Sequence, residues 1–126
     1  MTRRQWILFG ALLAVQLREM WELLDRPSPF YAVEMGAGGG GLARDVTDYA
    51  ARLQGEFPRA LSYIAIDRAQ SPALCEKVVA EGIPLVGVTG CLLSNELLDA
   101  LPVHRFEMRG RAALEVYVAI RDGDLV

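Results

Sequence analysis

The sequence predicts an α/β protein built on a mostly parallel sheet, and three observations predict it. Short apolar runs at residues 30–34, 61–67 and 90–95 each end on an acid or an amide. Segments with helical periodicity or helix-start signals stand before and between these runs. A cluster of four glycines, Gly38 to Gly41, follows the first run almost at once. Strand, helix, strand, helix, strand is the pattern of parallel pairing through right-handed crossovers. Ligands of such sheets sit at the C-terminal ends of the strands.

The chain has 126 residues, enough for a single small domain over 1–126 with one core. It is 52% hydrophobic and 23% charged, which excludes a disordered chain. The net charge of −3 argues against a nucleic-acid surface, which needs a cationic excess. The small basic cluster Arg105, Arg109 and Arg111 reads as a solvated hairpin face. The two cysteines, Cys75 and Cys91, read as reduced thiols and place the protein in the cytoplasm. With His104 the only histidine, no zinc site is expected.

The first helix is expected over residues 4–24. Arg3 and Arg4 before an apolar run resemble a signal peptide, but that run is too short to span a bilayer. The pattern also continues unbroken through Gln16 to Leu24. Ile7, Leu8, Ala11, Leu12, Val15, Met20, Trp21 and Leu24 form the expected packing stripe. Pro27 and Pro29 end this helix, since proline restricts both itself and its predecessor.

After the glycines, Leu42, Ala43, Val46, Tyr49, Ala50 and Leu53 recur at helical spacing, with Arg44, Asp45, Asp48 and Arg52 on the opposite face. Gly55 and Pro58 close that helix. Ser71 as N-cap and Pro72 at the first position predict a third helix, running to about Glu81. Residues 83–88 read as a loop with a short strand. Residues 97–101 read as one helical turn stopped by Pro102. Residues 104–108 and 114–120 flank Arg109-Gly110-Arg111 and predict a hairpin. Asp122-Gly123 starts a further turn, with Leu125 and Val126 entering another strand.

Three polar features should converge on one rim: Glu34 with its glycines, Asp67, and the pair Asn95-Glu96. The glycine turn brings backbone N–H groups and a helix dipole towards a ligand. Gly36-x-Gly38-x-x-Gly41 fits a dinucleotide fingerprint. Glu34 argues against it, because a carboxylate there repels a pyrophosphate and suits a cationic amino group. Glu34, Gly36, Gly38 and Gly40 also give the spacing E-x-G-x-G-x-G, the pattern of S-adenosylmethionine sites. Asp67 would accept bonds from a ribose, as it would in either kind of site. The bland alternative, a solvated strand-end acid and a plain tight turn, is disfavoured by the entropy four glycines lose on folding.

Residues 94–106, Ser-Asn-Glu-Leu-Leu-Asp-Ala-Leu-Pro-Val-His-Arg-Phe, form the second informative stretch. Glu96 and Asp99 are three apart and should share a helix face, where two carboxylates hold a cation or accept a proton. Capping or solvating the turn is an equal reading of Asp99. His104, beyond Pro102, reads as an ordinary strand residue.

With Phe9 to Trp21, Val33 to Gly40, this stretch and Glu115-Val-Tyr-Val118 in that order, the chain resembles the MidA-like family over nearly its whole length. The N-E-x-x-D-A-x-P-V segment, Asn95 to Val103, is the distinctive part. The resemblance implies a Rossmann-like methyltransferase core using S-adenosyl-L-methionine, a mostly parallel sheet with a C-terminal β-hairpin. It implies backbone contact with the cofactor at Gly36, Ala37, Gly38 and Gly40, its amino group at Glu34, its ribose at Asp67, and Asn95 and Glu96 at the methyl end. A relative that assembles mitochondrial complex I methylates arginine in a protein, so protein arginine methylation is the implied activity, with Glu96 or Asp99 orienting the acceptor. Family members are much longer, and Gly39 to Gly41 replace the bulkier residues that relatives often carry.

That difference in length favours a rival, a non-catalytic binding or assembly module. A second rival is an NAD-linked oxidoreductase. An incomplete sheet also leaves an edge to be covered by a partner or a second copy, hence a homodimer.

Overall fold

The computed structural model describes residues 2–68 and 77–125. Helix α1 (Arg3–Leu23) starts at a capping box: the Thr2 side chain accepts from the Gln5 N–H, and the Gln5 side chain accepts from the Thr2 N–H at 2.7 Å. Strand β1 (Phe30–Met35) leads through the glycine turn into α2 (Gly41–Ala50). A short helix α3 (Phe57–Ala60) runs directly into β2 (Leu61–Asp67). Pro58, expected only to close the preceding helix, lies in the first turn of α3, where its missing N–H is harmless. Strands β3 (Lys77–Val79) and β4 (Gly90–Ser94) complete a four-stranded parallel sheet in the order β3-β2-β1-β4.

Strand β1 is central. Its Glu34 lies level with Ala65 of β2 and Leu93 of β4, and its Met35 with Ile66 and Ser94. The acid-bearing ends of three strands are thereby brought level. After β4 come a 3-10 turn (Leu98–Ala100) and two antiparallel hairpins. The first is β5 (Arg105–Arg109) with β6 (Ala112–Val116), the second β7 (Ile120–Arg121) with β8 (Asp124–Leu125). Arg105, Arg109 and Arg111 are exposed on the first, as expected.

The core lies between α1, α2 and the sheet. Leu17, Phe30, Val33, Val46, Phe57 and Ile66 are fully buried. Each such side chain contributes about 1.5–3 kcal/mol relative to exposure. Phe57 packs its ring 5.6 Å from Trp21 and 6.2 Å from Phe30. The Trp21 indole N–H donates to the Pro27 carbonyl at 2.9 Å and so fixes the chain between α1 and β1.

Three expectations are corrected here. The buried face of α1 is Gly10, Ala14, Leu17 and Trp21, of which only Trp21 belongs to the expected stripe; Met20 of that stripe also packs against the core. Leu8 and Leu12 are about three-fifths exposed, at 60% and 62%. The small residues decide it: a Cβ on Gly10 would stand 2.7 Å from Asp45 Cβ, so α2 packs there because there is no side chain in the way. The helix expected to run from Ser71 or Pro72 to Glu81 is also overturned where it is described, since residues 77–79 form β3 beside Ala65 to Asp67. Val78 and Val79 are β-branched and suit a strand. Ser71, Pro72 and Cys75 lie outside the described residues, as does Val126. The stretch 83–88, expected to hold a short strand, contains none.

Candidate active site

The polar ends of β1, β2 and β4 open onto two adjoining cavities. One, of about 270 Å³, is lined by Glu34, Gly36, Ala37, Gly41, Leu42 and Asn95, with Arg3, Trp6 and Asp45 closing its helical side. The other, of about 340 Å³, is lined by Gly36, Asp67, Asn95 and Glu96 together with the apolar Met35, Ile66, Leu97, Ala100 and Leu101. Gly36 and Asn95 line both and form the divide between them.

Glu34 is only 4% exposed. Burial raises its pKa above the usual carboxylate value, against a lowering hydrogen bond from Tyr63, and the nearby Asp67 charge raises it further. The Tyr63 hydroxyl donates to Glu34 Oε2 at 3.0 Å. A buried carboxylate at a cavity wall, with no cation bonded to it among the described residues, suits a ligand that brings a positive charge.

The turn after β1 takes left-handed backbone at alternate glycines: Gly36, Gly38 and Gly40 have φ of 75°, 53° and 71°. These are the glycines of the E-x-G-x-G-x-G spacing. Gly41, the third glycine of the dinucleotide spacing, has no positive φ. Four of the loop N–H groups have partners within the protein. Gly36 and Ala37 donate to the Ile66 carbonyl, Gly40 to the Ala37 carbonyl, and Gly38 to Asp67 Oδ2 at 2.7 Å. Those of Gly36, Ala37 and Gly38 hold the loop to β2, and that of Gly40 closes the turn on itself. What the loop offers is a bare surface: a Cβ on Gly38 would meet nothing within 4 Å.

Asn95 and Glu96 reach the rim, Glu96 on left-handed backbone at φ 52°. That conformation takes Glu96 out of the 3-10 turn holding Asp99, so the two acids do not share a helix face as expected. Asp99 lines neither cavity. His104 stands away from both, its Nδ1 paired with Glu115 across the hairpin. Leu97 packs on the turn: a Cβ on Gly36 would stand 2.8 Å from Leu97 Cδ1.

The sequence did not single out Arg3, Trp6, Asp45 or Tyr63 for the site. Asp45, expected on the solvated face of α2, is buried and accepts two hydrogen bonds from Arg3, one at 2.7 Å, and one from Arg44 at 3.3 Å. The Arg3 hydrogen bond above all holds its carboxyl below the usual range.

A family whose description reads "Putative S-adenosyl-L-methionine-dependent methyltransferase" matches residues 12–125. The chain belongs to that family. Among curated relatives, "Protein arginine methyltransferase NDUFAF7 homolog, mitochondrial" of Drosophila melanogaster is 25% identical over 146 aligned residues, covering 93% of this chain and 33% of the relative. The chain therefore spans about a third of that relative's length.

S-adenosyl-L-methionine is the cofactor of this family, and the donor set fits it. The ligand carries an amino acid part with an ammonium group, a sulfonium and an uncharged adenosine, with no phosphate. The first matches the buried acid, and the last matches an apolar cavity edged by Asp67. No helix among the described residues is long and apolar enough to cross a membrane.

Proposed function

We propose that this chain forms the methyl-donor-binding core of a protein arginine N-methyltransferase linked to respiratory complex assembly. Burial of Glu34 beside a turn with glycines at positions 36, 38, 39, 40 and 41 is the observation that carries the donor site. Glu34 would hold the donor's amino group and Asp67 its ribose. Gly36, Ala37, Gly38 and Gly40 would let backbone approach the ligand closely, and Asn95 would sit beside the junction of its two halves. The bound donor supplies an electrophilic methyl group on sulfur.

Proximity and alignment are what the chain itself adds to the transfer. Glu96 is assigned the orienting of the acceptor guanidinium, and its carboxylate can take the proton released as the new N–C bond forms. Asp99 is the weaker candidate for that role, since it lines neither cavity. A cytoplasmic location belongs to this reading and rests on the sequence alone, with Cys75 and Cys91 read as reduced thiols.

A second reading is a donor-binding or assembly module without catalysis. Exposed apolar side chains on the edge strand β4, such as Leu92, and on the β5-β6 hairpin, such as Phe106 and Met108, support it. In either reading we assign the free edge of β4 to a second copy of the chain, which light scattering tests directly.

The deciding experiment is calorimetric titration with S-adenosylmethionine and with NAD, followed by methyl transfer to arginine peptides. Binding of the donor alone with methylated arginine as product supports the first reading. Donor binding with no product on any peptide supports the module. Binding of NAD alone would sink both.

A further inference from the structure

The smaller cavity is lined by charges of opposite sign, Glu34 and Arg3. Arg3 is tied to Asp45 through Nη1 and Nη2. Arg44 bonds the same carboxylate. Two guanidiniums thus share the Asp45 carboxylate, and Asp48 adds a second negative charge near Arg3. A guanidinium carries five N–H donors. Asp45 takes two from Arg3, whose side chain is still 54% exposed. Donors remain for another oxygen ligand, and the Asp45 bonds hold the planar fork at the cavity wall.

One cavity that holds a carboxylate and a guanidinium has the charge pattern of an α-amino acid zwitterion. Resting on the donor site proposed above, we propose that Arg3 binds the α-carboxylate of the methyl donor while Glu34 binds its ammonium. The arrangement requires α1 to lie against α2, because Arg3 reaches the cavity only through that packing, which Gly10 permits. Trp6, one helical turn further along α1, supplies an aromatic wall to the same cavity. Such a wall gives the aliphatic part of a ligand an apolar surface to lie against while Arg3 and Glu34 take its charged ends. Arg3 is then a specificity residue: it separates ligands with the whole methionine part from those lacking the carboxylate.

The test is calorimetric titration with three ligands: S-adenosylmethionine, its decarboxylated analogue, which keeps the amine, and methylthioadenosine, which has neither group. Wild type should bind S-adenosylmethionine at least about tenfold more tightly than the decarboxylated analogue. Arg3→Ala should erase that preference and leave methylthioadenosine affinity unchanged. Arg3→Lys, which keeps the charge, should retain part of it.

Equal wild-type affinity for the first two ligands would overturn the assignment without recourse to any variant, so it stays decidable if Arg3→Ala fails to fold. An equal loss for all three ligands in Arg3→Ala would overturn it too, as the sign of a purely structural tie to Asp45. If wild type binds methylthioadenosine but has no carboxylate preference, only the role of Arg3 falls. If it binds none of the three, the donor site falls with it.

Discussion

Tyr63 of β2 donates its phenolic hydrogen to Glu34 of β1 at 3.0 Å, and Glu34 is otherwise shut away from solvent at 4% exposure. A neutral hydroxyl thus partners the buried acid. The hydrogen bond favours the charged form, but burial outweighs it and leaves the carboxyl easier to protonate than a free one.

This sets a stability cost with a definite pH sign. The folded protein holds the Glu34 proton more tightly than the unfolded chain. The stability from that proton is full below the unfolded value and is lost as pH rises through the raised folded value. Glu34→Gln keeps an acceptor for Tyr63 and removes the buried charge. Its melting temperature should therefore match or exceed that of wild type, with the gain growing from mildly acidic to mildly alkaline pH. Donor affinity should fall by about 30-fold or more, because a partner of a buried charge pair is gone. Thermal melts against pH, with titration of S-adenosylmethionine alongside, check both halves. A variant that is less stable at alkaline pH would contradict the assignment.

The same shift predicts how ligand binding follows pH. An ammonium group prefers the ionised acid, so binding should release a proton from Glu34 wherever its pKa stands near or above the working pH. Affinity should rise as pH rises through the raised value and then level off. Calorimetric heats in buffers of different ionisation enthalpy report the released proton directly. In Glu34→Gln that release should vanish.

Tyr63→Phe removes the hydrogen bond from Tyr63 that stabilises the charged acid. The ring still packs, so the fold should survive at a cost of about 1 kcal/mol. Protonation of Glu34 should shift further upward, and donor affinity at neutral pH should drop about tenfold or more, the equivalent of one hydrogen bond to a charged group. Unchanged affinity would mean that Tyr63 serves only the core.

Much of this site was legible because strand ends are legible. Residues 61–67 read as apolar and β-branched up to an acid, and β2 has those bounds. Glu34, Asp67 and Asn95 were placed on one rim by the parallel pattern alone, and the register brings them there. What the pattern could not show are relationships between distant residues. Arg3 and Asp45 are 42 positions apart, and Tyr63 lies 29 from Glu34. Nor could periodicity choose the buried side of α1, where apolar residues occur nearly all round. Gly10 and Ala14 decided it by letting another helix approach, and smallness carries no hydrophobic signal. For β3, the helix-start signal of Ser71 and Pro72 outweighed a strand of three residues.

Two glycine substitutions should separate fold from ligand. At Gly90 a Cβ would stand 1.9 Å from the Tyr31 carbonyl oxygen, a backbone atom that cannot rotate aside. Gly90→Ala should therefore push β4 off β1 and lose the cooperative thermal transition, taking Asn95 off the rim with it. At Gly38 a Cβ would meet no protein atom within 4 Å. The φ of 53° makes alanine there cost about 1 kcal/mol, which the fold should tolerate. Yet the added methyl would project into open space beside the loop that the donor is proposed to approach. Gly38→Ala should stay folded by circular dichroism while its affinity for S-adenosylmethionine falls at least about tenfold. Gly38→Val should abolish binding. Wild-type affinity in a folded Gly38→Val protein would show that no ligand lies against the turn, and the donor would have to be sought away from Glu34.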